Sequence, residues 1–119
     1  MTLKARSGTR AAAEAIANMT ASKIFADFDS DIVLRSAVER QFEILGEALG
    51  QPDRLDATFA ARISDLRQIV AFRNVLIHGY ATIDRARVWQ AVQDDLPPLR
   101  AELEDLFIEA YLFSDDKGE

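Results

Sequence analysis

Three polar side chains next to one apolar segment are the residues of this sequence best suited to chemistry. Residues 66–77 are apolar at most positions, yet they include Arg73 and Asn74, and His78, the only histidine of the chain, follows directly. Wound as a helix, the segment predicts a buried helix, in which an arginine and an imidazole cost free energy unless each finds partners. Asn74 and His78 are about 40° apart around an ideal helix. We therefore expect Arg73, Asn74 and His78 to line a cleft.

Residue types alone also fit a purely structural role for these groups. A single histidine near a helix end often caps the helix, and an arginine among apolar residues is often half of an internal ion pair. Tyr80, two residues beyond His78, fits equally well as an aromatic residue that packs on the end of a bundle. What favours a functional role is the spacing of Arg73, His78 and Tyr80.

That spacing matches a family motif, and two further segments follow the same pattern. Arg73, His78 and Tyr80 resemble the Arg-x4-His-x-Tyr motif of the HepT-type toxins, which have a HEPN domain. Residues 40–48, Arg-Gln-Phe-Glu-Ile-Leu-Gly-Glu-Ala, are similar to the second helix of that family, and residues 88–97 to the segment after its motif. The motifs stand in family order over most of the chain.

The resemblance implies an endoribonuclease that needs no metal. In that mechanism His78 transfers a proton to or from the ribose 2′-hydroxyl or the leaving 5′-oxygen, and Arg73 stabilises the charge at phosphorus. The 2′-hydroxyl is the nucleophile, so the product carries a cyclic phosphate. One histidine supplies one proton-transfer group, so a homodimer that brings two motifs together would complete the site. Asn74 would orient the phosphate or His78, and a structural role is equally open.

The resemblance also implies a partner protein. In the family, the motif tyrosine accepts AMP from a minimal nucleotidyltransferase antitoxin of the MntA type. Tyr80 would be that acceptor, and the added phosphate beside Arg73 would block the site. The expected partners are therefore RNA, this antitoxin and a second copy of the chain, with room for a larger assembly that includes the antitoxin.

Composition limits the other possibilities. The 119 residues are 49% hydrophobic and include no cysteine, so we expect one domain over residues 1–113, a disordered tail over 114–119, and no disulfide or thiolate chemistry. The net charge of −6 disfavours generic adhesion to nucleic acid, and any RNA must therefore meet a local basic cleft. Without a signal peptide or a long apolar run, the sequence predicts a cytoplasmic protein that does not enter a membrane.

Two glutamates on the second predicted helix are the remaining candidates for a site. Glu43 and Glu47 are four residues apart and could bind Mg²⁺, but Arg40 precedes Glu43 by three residues, and an intrahelical ion pair is the simpler expectation. A role in positioning Arg73 or the partner subunit is the alternative. With one histidine and dispersed carboxylates, we expect no metal and no cofactor.

The pattern of apolar residues predicts an all-α, up-and-down bundle of four to five helices that forms a homodimer. The predicted helices and connections are a first helix from Leu3 or Thr9 to Met19; a linker over residues 21–29 anchored by Ile24, Phe25 and Phe28; a second helix capped by Ser30 or Asp31 and ending near Leu49; a short helical piece over residues 55–61; a motif helix capped by Ser64 and ended by Gly79; a helix capped by Asp84; a break at Pro97-Pro98; and a last helix with an apolar face from Leu99 to Ala110.

Three functions remain open at this point. The first is a ribonuclease toxin that a partner silences by transferring AMP to it. The second is a non-catalytic subunit that binds substrate for, or regulates, a minimal nucleotidyltransferase. The third is a helical dimerisation domain whose motif is inert.

Overall fold

A computed structural model of the protein describes residues 3–50, 66–78 and 84–116. All secondary structure in these residues is helical. This confirms the all-α prediction. The elements are α1 (Leu3–Thr20), α2 (Phe25–Ser30), α3 (Ile32–Leu49), α4 (Leu66–His78), α5 (Arg85–Gln90), a π-helical turn (Ala91–Asp95) and α6 (Leu96–Asp116).

Two aspartates fix helix starts as the sequence predicts. The Asp31 carboxylate accepts hydrogen bonds from the backbone N–H groups of Val33, at 3.0 Å, and Leu34, at 3.1 Å. Asp84 accepts from Ala86 at 2.9 Å in the same way and caps α5. Each cap satisfies N–H groups that the first turn of a helix leaves without an acceptor.

The predicted linker over residues 21–29 is wrong in part, because it contains the short helix α2. The carboxylate of Asp27 accepts a hydrogen bond from the Ile24 N–H at 2.9 Å and so holds the start of that helix. Of the three predicted anchors only Phe28 is buried, whereas Ile24 is 64% and Phe25 39% exposed. Phe28 packs on the ring of Trp89, with centroids 5.3 Å apart, and thereby attaches α2 to α5.

The predicted break at Pro97-Pro98 is also wrong. The chain stays helical from Arg85 to Asp116 and changes its hydrogen-bond register instead. Across the π turn, the Leu96 N–H donates to the carbonyl of Ala91, five residues back. The extra residue of a π turn widens the helix locally, and we attribute to this the room for two proline rings that would clash with carbonyls of a regular helix.

The core lies between α1, α3, α4 and the continuous α5–α6 segment, with α3 packed on α1 and α4, and α1 packed on α6. It consists of Ala12, Ala13, Ile16, Phe28, Val38, Phe42, Leu45, Leu49, Phe72, Leu76, Val88, Ala91, Val92, Leu96, Leu99, Leu103 and Leu106. Leu99, Leu103 and Leu106 confirm the predicted apolar face of the last helix, and Phe107 beside them is half-buried.

Two ion pairs join α1 to α6 at the edge of the core. Arg100 forms a fork on Glu14, from Nε to Oε1 at 3.0 Å and from Nη2 to Oε2 at 2.8 Å. Arg10 pairs with Glu104 and stacks over the ring of Phe107, at 4.7 Å from its centroid. The hydrogen bonds from Arg100 lower the pKa of the Glu14 carboxyl, because they stabilise its charged form.

Several predictions fall on residues outside the described ranges: the helical piece over residues 55–61, the Ser64 cap and the C-terminal Gly79. The predicted tail is described only as far as Asp116, and to that point it continues α6. Among the described helices, none has the length and hydropathy that a membrane crossing requires.

Candidate functional site

The motif helix α4 packs closely on α3, with the two helices running in opposite directions. Phe72 meets the ring of Phe42 edge-on, with centroids 5.2 Å apart. One turn further along α3, Gly46 lies directly under the side chain of Arg73: a Cβ atom on Gly46 would stand 2.8 Å from Cγ of Arg73 and closer still to its Cβ. A further turn along, Gly50 faces Val70. The base of the Arg73 side chain is therefore set into the surface of α3.

The guanidinium of Arg73 is half-buried and donates a hydrogen bond to one side chain. Its Nη1 donates to Oδ1 of Asn74 at 3.0 Å. Its Nε is removed from solvent and has no acceptor within the described residues. An unsatisfied buried donor costs roughly 1–3 kcal/mol, and such groups in folded proteins are often associated with strain or catalysis. Arg73 and Asn74 thus form one polar unit at the border between the core and the surface.

Asn74 and His78 share the open face of α4, where both side chains are exposed. Val75 on this face is 55% exposed, while Phe72 and Leu76 on the opposite face are buried. The expectation of a helix buried on all sides is wrong for the single chain, because among the described residues α3 and, at Phe72, Arg87 of α5 cover one face of α4 and leave the other open. Within the described part of the chain, Arg73, Asn74 and His78 consequently lie on an open surface and not in an enclosed cleft.

Residues 40–48 contain the intrahelical ion pair that the sequence predicts. Arg40 Nη1 lies 3.3 Å from Glu43 Oε2, an ion pair within α3. Glu43 is half-buried and Glu47 exposed, on either side of Gly46 in the sequence. Within the described residues, the side-chain hydrogen bond of Arg73 goes to Asn74 and to neither glutamate. Among the described residues, no group of three or more potential metal ligands comes together.

Glu39, one turn before Glu43, is a partly buried carboxyl beside the same helix pair. Burial raises its pKa, the nearby Arg35 opposes that effect, and the Glu43 charge adds to it. The charged form of Glu39 is therefore held at a cost in the folded protein.

Sequence reasoning missed the residues that support Arg73. Gly46 lets α4 approach α3 closely. Arg87 of α5 covers one face of the Phe72 ring, with its guanidinium carbon 4.9 Å from the ring centroid. Arg87 is itself held by Asp95 of the π turn, at 3.4 Å. A glycine inside a helix of good helix formers was the available signal for Gly46; the sequence contains none that links Arg87 to Phe72.

Residues 9–106 match the family model described as ribonuclease HepT-like. This chain belongs to the HepT-like ribonuclease family. A probable ribonuclease HepT of Thermococcus cleftensis is 32% identical over 97 residues, which is 80% of this chain and 86% of that protein. A candidate RNase of Methanocaldococcus jannaschii is 32% identical over 80 residues, 66% of this chain and 71% of that protein.

Another similar protein of Methanocaldococcus jannaschii is longer and carries two names, gamma-glutamylcyclotransferase and candidate RNase. It is 30% identical over 92 residues, and the match spans 40% of its length. Solved structures give no significant match to this chain.

The match to the HepT-like family extends from α1 into α6 and includes the whole motif from Arg73 to Tyr80. Tyr80 lies outside the described residues, so its hydroxyl has no described position. For Arg73 and His78, the assignment to a ribonuclease family agrees with the positions of the two side chains. The guanidinium of Arg73 can bind and stabilise an anionic phosphate. The exposed imidazole of His78, less than two turns further along α4, can transfer protons.

Proposed function

We propose that this HepT-like protein is a metal-independent endoribonuclease that acts through Arg73 and His78 of two chains in a homodimer. The observation that carries the proposal is the Arg73 unit. Its base is packed on Gly46, its Nη1 is bonded to Asn74, and the only imidazole of the chain lies on the adjoining open face. All six related proteins have RNase or ribonuclease in their names, which supports the same activity here.

The proposed reaction is an internal transfer at phosphorus. The ribose 2′-oxygen bonds to phosphorus, the bond from phosphorus to the 5′-oxygen breaks, and the products are a 2′,3′-cyclic phosphate and a 5′-hydroxyl. His78 takes the proton from the 2′-hydroxyl or gives one to the leaving oxygen. Arg73 stabilises the extra negative charge of the transition state, and its fixed base reduces the reorganisation that this requires.

The open face of α4 supports the proposed dimer. Val75, an apolar residue that is 55% exposed, lies on that face with Asn74 and His78. A second chain packed there would cover Val75 and would place a second histidine near the first. The pair would then provide both the acid and the base that the reaction uses, which a single His78 does not.

The proposed biological setting is a toxin and its antitoxin. A nucleotidyltransferase partner would transfer AMP from ATP to Tyr80. In this step the tyrosine oxygen bonds to the α-phosphorus, pyrophosphate leaves, and the hydroxyl proton passes to solvent. The attached phosphate would compete with RNA for Arg73, and the adenine would occupy the space beside it. Tyr80 thus acts as the switch of a site whose chemistry rests on Arg73 and His78.

The test compares cell growth and RNA cleavage for four chains. Expression of the unmodified chain should stop growth and the purified protein should cut RNA, whereas Arg73→Ala and His78→Ala should each lower cleavage by about 10²-fold or more. Arg67→Ala is the matched control, since Arg67 is an exposed arginine of the same helix. If the unmodified protein leaves RNA intact but binds a nucleotidyltransferase, the function is that of a regulatory subunit.

A further inference from the structure

Gly46 is buried in α3 at the point where that helix most closely approaches α4. The atoms that a side chain at residue 46 would meet are Cβ and Cγ of Arg73 and, at 3.3 Å, the carbonyl oxygen of Ile69. These atoms belong to the backbone of α4 or lie next to it, so they cannot move aside as the end of a flexible side chain would. Any residue larger than glycine at 46 must displace α4 itself.

We propose that Gly46 is a positioning residue, which sets the depth and direction of the Arg73 side chain for the reaction. The inference rests on the proposed ribonuclease function. Carbon atoms pack at roughly 3.5–4.0 Å, so a methyl group at residue 46 would push Arg73 outward by about 1 Å. Displacements of this size in a catalytic group can lower a rate by about 10²-fold.

The contacts on either side of Gly46 concentrate this displacement at Arg73. Phe72 is held by the ring of Phe42, at 5.2 Å, and by Arg87, at 4.9 Å. Toward α4 the neighbouring glycine, Gly50, leaves more room: a Cβ there would lie 3.5 Å from the side chain of Val70, and its nearest atom, at 3.0 Å, is the Gly46 carbonyl oxygen of α3 itself. With Phe72 fixed, the guanidinium of Arg73 would move relative to Asn74 and lose the hydrogen bond that orients it.

Helix propensity gives an opposite expectation, which makes the test informative. Alanine favours a helix more than glycine does, so Gly46→Ala would stabilise α3 if Arg73 were not above it. Gly8 of α1 provides the matched control, because a Cβ there would meet nothing within 4 Å. Gly8→Ala is expected to stabilise α1 slightly and to leave cleavage as it is.

The experiment measures kcat and KM for RNA cleavage by the homodimer in a cycle of four chains: unmodified, Gly46→Ala, Arg73→Gly and the double variant. Gly46→Ala should lower kcat by about 10- to 100-fold and change KM by a smaller factor. Arg73→Gly removes the two nearest atoms that obstruct a methyl group and leaves the Ile69 carbonyl oxygen at 3.3 Å, so the double variant should have nearly the same kcat as Arg73→Gly alone. Gly8→Ala is measured beside them.

Each result decides a different point. If Gly46→Ala lowers the residual rate of Arg73→Gly by the same factor as that of the unmodified chain, Gly46 is structural only and the inference is overturned. Full activity of Gly46→Ala overturns it as well, while the proposed function stands. An unmodified chain that cuts no RNA overturns the proposed function, and the positioning role falls with it. If Gly46→Ala does not fold, recovery of folding in the double variant supports the contact, and failure to recover refutes it.

Discussion

The guanidinium of Arg87 covers the ring of Phe72, with its central carbon 4.9 Å from the ring centroid. Phe42 meets the same ring edge-on, so Phe72 is held between α3 and α5. Because Phe72 directly precedes Arg73 in the chain, these contacts limit how far α4 can rotate. Arg87 therefore links α5, which contains no residue of the Arg-x4-His-x-Tyr motif, to the orientation of the candidate site.

Loss of Arg87 should weaken the fold and the site together. We expect Arg87→Ala to lower the free energy of unfolding by about 0.5–2 kcal/mol, since Arg87 is a half-buried cation over the buried ring of Phe72. Urea denaturation measures the change. In a double-mutant cycle with Phe72→Leu the two losses should be less than additive. Arg85→Ala serves as a control, because its exposed ion pair with Asp29 contributes less than about 1 kcal/mol; additive losses for Arg87 and Phe72 would contradict a direct interaction.

Cleavage should not depend on a divalent metal. The proposed reaction uses an imidazole and an arginine, so EDTA should leave the rate within about twofold, and the product should end in a 2′,3′-cyclic phosphate. Mass analysis of a short cleaved RNA identifies that end. Activity that disappears in EDTA and returns with Mg²⁺ would redirect attention to Glu43 and Glu47 on α3.

The dimer should depend on the open face of α4. Val75→Glu places a charge on the proposed interface and should shift the protein toward a monomer in light scattering, with a cleavage rate at least about 10-fold lower. Leu112→Glu is the matched control, since Leu112 is also 55% exposed but lies on α6. A dimer that survives Val75→Glu and dissociates with Leu112→Glu would place the interface elsewhere.

Modification by a nucleotidyltransferase should depend on Tyr80. Incubation with the partner and ATP should add one or more AMP masses to the unmodified chain and none to Tyr80→Phe, and the modified protein should lose cleavage activity. The chain has two tyrosines, and the second, Tyr111, is 54% exposed. Tyr111→Phe should therefore be modified normally. An equal mass gain on Tyr80→Phe would assign the acceptor to another residue.

Acid should destabilise the fold partly through Glu14. Hydrogen bonds from Arg100 lower the pKa of Glu14 in the folded state below its unfolded value of about 4.3. Its contribution is therefore present above the unfolded pKa and is lost as the pH falls through the folded pKa. Between pH 6 and pH 3, Tm should fall more for the unmodified chain than for Glu14→Gln.

Glu39 gives the opposite sign and so checks the same linkage. Burial raises its pKa in the folded state, which means that folding favours the protonated carboxyl. Glu39→Gln should accordingly raise Tm at pH 7 and lose that advantage as the pH falls through the folded pKa, with none left below the unfolded pKa. If both variants respond to acid in the same direction, these two carboxyls do not set the pH dependence.

Residues close together in the sequence predicted two helix starts correctly, but they could not predict contacts between residues far apart in the sequence. Asp31 and Asp84 cap their helices because a carboxylate satisfies N–H groups two or three residues ahead, a relation that the sequence shows directly. The contact of Gly46 with Arg73 and that of Phe72 with Arg87 depend on how α3, α4 and α5 pack, so the residues' spacing does not show them. The motif spacing predicted Arg73 and His78 as a site, but not what holds Arg73.

The π turn (Ala91–Asp95) sets a rotational phase between the two halves of the long C-terminal segment. Such a turn holds one residue more than the α-helical turn that it replaces. Removing that residue would rotate α6 by about 100° against α5. Leu103 would then turn out of the core, and Arg100 would turn away from Glu14, while Arg87 kept its place on Phe72. One inserted residue thus lets a single helical segment present one face to the motif helix and, further along, a differently directed face to α1.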